Sequence, residues 1–353
     1  MKLTRRNFLK LVGALGASTF ISTYKFELQE VFAQAGDYWH ICWLNGAECA
    51  GCTISFAQAV EPDLISILTE ITVGTSGLPI ALPDYAEVIH PASGSLAEEL
   101  KEEVWKKAAM KILVVEGAVQ NEDDCTVGVD ENGNPKDFRD HVLDAAKVAD
   151  AIVAVGQCAT FGGIPSGSPN PTGAMGVREF LKKQGINKTV INLPCCPAHP
   201  DHIVITLAAV MIGAIPELDK YGRPKVFFGK NMHDELCPYR PYYDRGIFKT
   251  TPGGEGCRFK MGCKGPVTWT DCALRKWNNH VSFCNETNIC LGCAEPGWPD
   301  KFSPFYKEVT ELPKLLGMSA KSLGEGLVVA SAGITAVHLA KRALTKGKKE
   351  KEE

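Results

Sequence analysis

The chain has 353 residues, 45% of them hydrophobic, and a formal net charge of -3. That length allows two domains with a real core, and basic residues scattered outside a short C-terminal tail exclude a nucleic-acid binder. Its 14 cysteines are too many for chance and too sparse for a small disulfide scaffold.

The first element is a targeting segment. "MKLTRRNFLKLVGALGASTFIS" pairs Arg5 with Arg6 and follows them with an apolar run, Leu11 to Ile21, too short to span a bilayer. Thr-Arg-Arg-Asn-Phe-Leu-Lys fits the whole pattern of a twin-arginine signal; an ordinary secretory signal containing Arg-Arg is the alternative. Small residues at Ala33 to Ala35 suit cleavage, so residues 1–35 are expected to be removed. Export would place the mature chain on the extracytoplasmic, periplasmic side. Paired cysteines in an exported chain read first as disulfides. The twin-arginine route carries folded proteins, so thiols already occupied by a cofactor in the cytoplasm are the better reading.

From Tyr38 to about Tyr221 the pattern is α/β. The apolar runs "HICWLN", "KILVVEG", "AIVAVGQ" and "TVINLP" predict buried strands of a parallel sheet. Helical patterns over 95–110, 137–149 and 175–185 lie between them, with Gly185 as a helix stop. The alternation predicts a doubly wound, flavodoxin-like sheet over residues 36–221. Functional loops of such a sheet lie at the carboxyl ends of its strands. Cys49 and Cys52, Cys158, and Cys196 each follow a predicted strand, so distant cysteines are expected to meet at one edge.

Residues 222–310 are rich in Gly, Pro and aromatics, poor in periodicity, and hold seven of the cysteines. Such a stretch needs another source of order, which buried metal clusters would supply. A linker over 311–322 leads to an uncharged run, Gly326 to Ala340. With its flanks, Leu323 to Leu344 is long enough to span a membrane; a surface helix is the alternative. The tail 345–353 is basic. Six Lys or Arg between Lys341 and Lys351 would hold it in the cytoplasm.

Spacing groups the ligands into three sets. The first is Cys49-x2-Cys52 with Cys158 and Cys196, four thiolates suited to a [4Fe–4S] cubane. The second is His233 and Cys237 with Cys257-x5-Cys263. The third is Cys272 with Cys290-x2-Cys293, three thiolates suited to [3Fe–4S]. Structural zinc is the rival, since each C-x2-C alone is compatible with it. Ten Cys and one His do not divide into zinc tetrads, which favours iron–sulfur. Cys284, six residues before Cys290, either fills an open corner of the third set or is a buried thiol. Cys42 and Cys125 fall in no set and read as core thiols.

"WLNGAECAGC", "GQCATFGG", "PTGAMGV", "GCKGPVTW" and "CLGCAEPGWPDKFSPFY" resemble the small, electron-transfer subunit of membrane-bound uptake [NiFe]-hydrogenases. The resemblance covers nearly the whole chain. It implies a relay in which the first set is a proximal [4Fe–4S], the third a medial [3Fe–4S] and the second a distal [4Fe–4S]. It places nickel and H2 chemistry in a partner large subunit, with no catalytic residue in this chain. The resemblance also implies a cytochrome b partner and, beyond it, the quinone pool. His338, in the C-terminal span, matches a family histidine that helps hold haem. Glu48, beside Cys49, reads either as a proton-path residue or as a solvated carboxylate. Two departures stand out. The family's distal pair is usually His-x2-Cys, whereas three residues separate His233 from Cys237, so the loop bulges or Cys237 shifts. Cys195 stands where the family usually has Gly, so either it or Cys196 binds, and Pro197 favours Cys196. Oxygen-tolerant relatives carry two extra proximal cysteines; Gly51 and Gly163 stand there, which implies an ordinary proximal cluster.

Overall fold

The computed structural model describes residues 40–60, 83–90, 92–107, 111–130, 132–211 and 213–309. The signal segment, the linker, the expected span Leu323–Leu344, its His338 and the basic tail lie outside them. No helix among the described residues is long and apolar enough to cross a membrane. Residues 40–307 belong to one compact unit, so the α/β part and the cysteine-rich part are packed together.

A five-stranded parallel sheet forms the centre. Its strands are β1 (His40–Asn45), β2 (Pro83–Ala86), β3 (Lys111–Glu116), β6 (Ala151–Val155) and β7 (Val190–Leu193), in the order β2-β1-β3-β6-β7. A separate hairpin, β4 (Thr126–Val129) and β5 (Pro135–Asp137), is inserted between β3 and β6. Leaving out the hairpin gives the doubly wound order 2-1-3-4-5 of flavodoxin-like sheets.

Alternate side chains of each strand enter opposite cores. On one face Ile41, Trp43, Ile112, Val114, Val153, Val155 and Ile191 pack against helix α1 (Gly51–Ala57) and helix α6 (Pro200–Met211). On the other, Leu44, Leu113, Val115, Ile152 and Ala154 pack against α3 (Phe138–Val148) and α5 (Val177–Lys183). Both faces are covered, which is why the strands read as unbroken apolar runs. Helix α2 (Ser95–Lys107) follows β2, and α4 (Gly156–Phe161) follows β6 directly. Helix α5 ends at Lys183, and Gly185 follows with φ 75.

Among the described residues after Met211 the chain forms short turns and helices. Among them are a π-helical turn Met232–Leu236, the one-turn helix Cys272–Arg275 and the one-turn helix Cys284–Thr287.

Candidate metal centres

The carboxyl ends of β1, β6 and β7 bring the first thiol set together. Ala50, at φ 56, turns the chain from β1 into α1, leaving Cys49 on the loop and Cys52 in the first turn. A buried carboxylate pins that turn. Glu116, the last residue of β3, accepts from Cys52 N (2.9 Å), Thr53 Oγ1 (2.6 Å) and Trp43 Nε1 (3.1 Å). The thiols of Cys49, Cys158 and Cys196 lie close enough to feel one another's charge, and Cys52 feels those of Cys158 and Cys196. Burial pushes Cys158 up to about 11 and Cys196 up to about 12. Ala198 N donates to Cys52 Sγ at 3.4 Å. Cys49 and Cys196 keep surface access. The neighbouring Glu48 carboxyl is raised to about 7, by burial first and then by the Glu116 charge.

The second set forms around the π-turn. One extra residue in an i to i+5 turn carries Cys237 past the position it would hold in an α-turn, and this absorbs the longer His233–Cys237 spacing. Asn231 Oδ1 caps the turn, accepting from His233 N (3.0 Å) and Asp234 N (2.9 Å). Asp234 Oδ1 lies 2.7 Å from His233 Nδ1, which turns Nε2 toward Cys257 Sγ, 4.0 Å away. A carboxylate on the outer ring nitrogen is the usual support of a ligating histidine. Asn285 Nδ2 spans two further members, donating to Cys263 Sγ (3.5 Å) and Cys237 Sγ (3.8 Å).

In the third set Cys290 lies within charge range of Cys293. Cys284 is exposed as a residue, yet packing around its thiol pushes it up to about 12, and the charges of Cys293, Cys272 and then Cys263 of the second set add to this. It starts the one-turn helix Cys284–Thr287, whose next residue, Asn285, reaches the second set. Cys195 also arrives here. It is fully buried in the apolar cluster against which Cys272 and Cys293 pack. The two candidates of the Cys195–Cys196 pair differ in setting: Cys196 is exposed and feels the charge of Cys293 and then those of Cys158 and Cys49, whereas Cys195 is buried in the core. Thr270 Oγ1 lies 3.1 Å from Cys272 Sγ.

Two cysteines lie between the sets: Cys196 within charge range of Cys293 as well as of Cys158, and Cys290 within charge range of Cys263 as well as of Cys293. Among the described residues no three His, Cys, Asp or Glu side chains lie close enough to hold a single ion. With Cys284 the three sets hold eleven thiols and one imidazole, donors of the kind that bind the corners of iron–sulfur clusters.

The small subunit of F420 non-reducing hydrogenase I from Methanosarcina mazei is 38% identical over 97% of this chain and 94% of its own. The chain belongs to the NiFe hydrogenase small subunits. The family describing the C-terminal part of the NiFe/NiFeSe hydrogenase small subunit matches residues 228–306, and the NADH ubiquinone oxidoreductase 20 Kd subunit family matches residues 49–210. The uptake hydrogenase small subunit of Azotobacter vinelandii is 32% identical over 98% of this chain and 95% of its own. The [NiFeSe]-hydrogenase structure from Desulfomicrobium baculatum superposes with a TM-score of 0.72 at 36% identity, covering 77% of this chain and all of that one. The active site of a hydrogenase of this family lies in the large subunit.

Other features bear on the clusters of this small subunit. Gly163 has φ 53, and a Cβ there would lie 2.9 Å from Cys158 Sγ and its backbone, so a cysteine in its place would be both strained and blocked. Beside the medial set stands a buried charge network. Arg275 donates to Asp271 through Nε (2.9 Å) and Nη2 (2.7 Å) and to Asp201 through Nη1 (3.1 Å), while His202 Nε2 lies 2.7 Å from Asp271. Sequence reasoning missed this network, Glu116 and Asn285. "KILVVEG" carries a charged residue at the end of a buried strand, and that was the available signal for Glu116.

Proposed function

We propose that this small subunit relays electrons from H2 oxidation in its large subunit through three iron–sulfur clusters to a cytochrome b and the quinone pool. The observation that carries the reading is the succession of thiol sets in a chain of this family: Cys196 lies within charge range of both Cys158 and Cys293, and Cys290 within charge range of both Cys293 and Cys263. The order along this path is proximal, medial, distal. When bound, the clusters supply one-electron carriers whose potentials depend on ligand type, burial and hydrogen bonding. The proximal donors are Cys49, Cys52, Cys158 and Cys196, and the distal donors are His233, Cys237, Cys257 and Cys263. We assign four medial donors, Cys272, Cys284, Cys290 and Cys293, in place of the three that suit [3Fe–4S].

The chain's own groups have definable tasks. Glu116 holds the Cys49–Cys52 turn in shape before any iron arrives. Asp234 fixes the tautomer of His233. Glu48, with a pKa about 7, carries a proton beside the proximal site. Cys49 and Cys196 are exposed, as are Ile54 and Ile164 close in sequence to the ligands Cys52 and Cys158, and the large subunit would dock over this site. The complex, purified with its large subunit, is expected to be brown and to contain nickel and about twelve cluster irons. A colourless protein carrying zinc would overturn the reading.

Export by the twin-arginine route and a C-terminal anchor complete the proposal. An ionisable residue inside an apolar span usually faces a partner or cofactor, and imidazole is a standard axial ligand to haem. His338→Ala is therefore expected to spare H2 oxidation with a soluble dye and to reduce it with quinone in membranes. Full haem content and full quinone-linked activity in those membranes would refute the assignment.

A further inference from the structure

We propose that Arg258 is a built-in counter-cation for the distal cluster, and that its charge raises that cluster's reduction potential. This rests on the reading of His233, Cys237, Cys257 and Cys263 as distal ligands. Three arginines among the described residues are buried: Arg223, Arg258 and Arg275. Two of them have carboxylate partners. Arg223 binds Asp219 (2.8 Å) and Glu295 (3.0 Å), and Arg275 binds Asp271 (2.7 Å) and Asp201 (3.1 Å). Arg258, only 1% exposed, is different. Its donors go to backbone carbonyls, Nη1 to Gly256 O and Nη2 to Gly254 O (2.6 Å) and Glu286 O (3.0 Å). The guanidinium carbon lies 3.8 Å from the centroid of the Tyr239 ring, a cation–π contact. Among the described residues no carboxylate lies within ion-pair distance of it, and its Nε is buried without a hydrogen-bond partner.

A guanidinium taken out of water is costly unless an anion faces it, and carbonyl dipoles with an aromatic face leave its net charge in place. The distal donors surround the place for that anion. Arg258 directly follows Cys257 in the chain. Glu286, whose carbonyl accepts from Nη2, directly follows Asn285, whose Nδ2 donates to the sulfurs of Cys263 and Cys237. Burial pushes the thiols of Cys237, Cys257 and Cys263 up, and the Arg258 charge opposes this at all three. A four-iron cluster on three thiolates and one imidazole is anionic and gains a further negative charge on reduction. A fixed cation beside it, in a site poor in water, favours the reduced form. The guanidinium stays protonated throughout, so the electron resides on the cluster and no proton moves. A distal site raised in this way draws electrons forward from the medial site.

The test is a redox titration of the intact complex, followed by EPR and iron analysis, with Arg258→Met and Arg258→Lys. Met, which keeps most of the side-chain length without the charge, is expected to lower the distal midpoint. The reduced-to-oxidised ratio should fall about tenfold at fixed potential, roughly 59 mV for one electron. The proximal midpoint stays put. Lys, which keeps the charge but not the planar fork, restores most of the shift. A Met variant that assembles without distal iron, beside a Lys variant that retains it, supports the counter-charge equally. An unchanged distal midpoint in the Met variant overturns the inference. Equal losses in Met and Lys, whether of potential, of iron or of assembly, overturn it too, because they make the fork of hydrogen bonds to carbonyls the working feature. Absence of a distal four-iron signal in the wild type removes the underlying ligand reading along with the inference.

Discussion

Replacing Arg275 by Met is expected to cost about 3–5 kcal/mol of stability and to strip the medial site of iron, because it leaves buried carboxylates unpaired. Arg275 is 4% exposed and Asp271 5% exposed. Burial pushes the Asp271 carboxyl up, but the Arg275 charge and the His202 contact outweigh it and hold the group well below the usual carboxylate range. Asp271 is the residue before Cys272, and Arg275 closes the same one-turn helix, so the ion pair sets the direction of the Cys272 thiol. The second carboxylate, Asp201, starts helix α6, so the network also anchors the cysteine-rich part to the sheet's helical layer. Arg275→Lys keeps the charge but not the two-pronged contact and should fall between wild type and Met. Thermal unfolding and iron analysis of the purified complex provide the check. Unchanged melting with full iron in the Met variant would show that the network does not support the site.

Cys284→Ala is expected to convert the medial cluster from four irons to three. The wild type, oxidised, should give no three-iron EPR signal, because four thiolates occupy the corners; the variant should give one and lose about one iron per complex. Cys284 is the donor whose role changes most between sequence and structure. Its partner residue in the same turn, Asn285, donates to Cys237 and Cys263 of the distal site, so this short helix lies at the medial–distal junction. Cys284→Ala leaves Asn285 in place, which confines the expected change to medial iron. A three-iron signal already present in the wild type and unaltered in the variant would return the medial site to the three donors Cys272, Cys290 and Cys293.

Features that depend on local pattern were legible in the chain before any folding was considered. Four of the five strands of the parallel sheet announce themselves as apolar runs, since a strand covered on both faces needs no polar alternation. Cys49-x2-Cys52 and Cys290-x2-Cys293 are readable because ligands two residues apart are positioned by one turn of backbone. Helix α6 was not readable: residues 202–211 are buried all round, so it lacks the one-sided period that marks a surface helix. The short strand β2 and the β4–β5 hairpin also escaped, having too few residues for a period to show.

Which thiols meet is a matter of tertiary packing. Cys195 and Cys196 are adjacent and chemically identical, yet the loop held by Gln157 leaves the first fully buried in the core and the second exposed near the thiols of Cys293 and Cys158. The extra residue between His233 and Cys237 is an anomaly in sequence and an ordinary π-turn in space. Cys284 has no paired spacing, and Glu116 lies 64 residues from the Cys52 amide that it holds. The physical reason is the same in each case. Ligand spacing within a turn is set by local backbone geometry, whereas convergence of loops is set by strand order and by the buried hydrogen bonds and ion pairs that fix each loop after the sheet has formed.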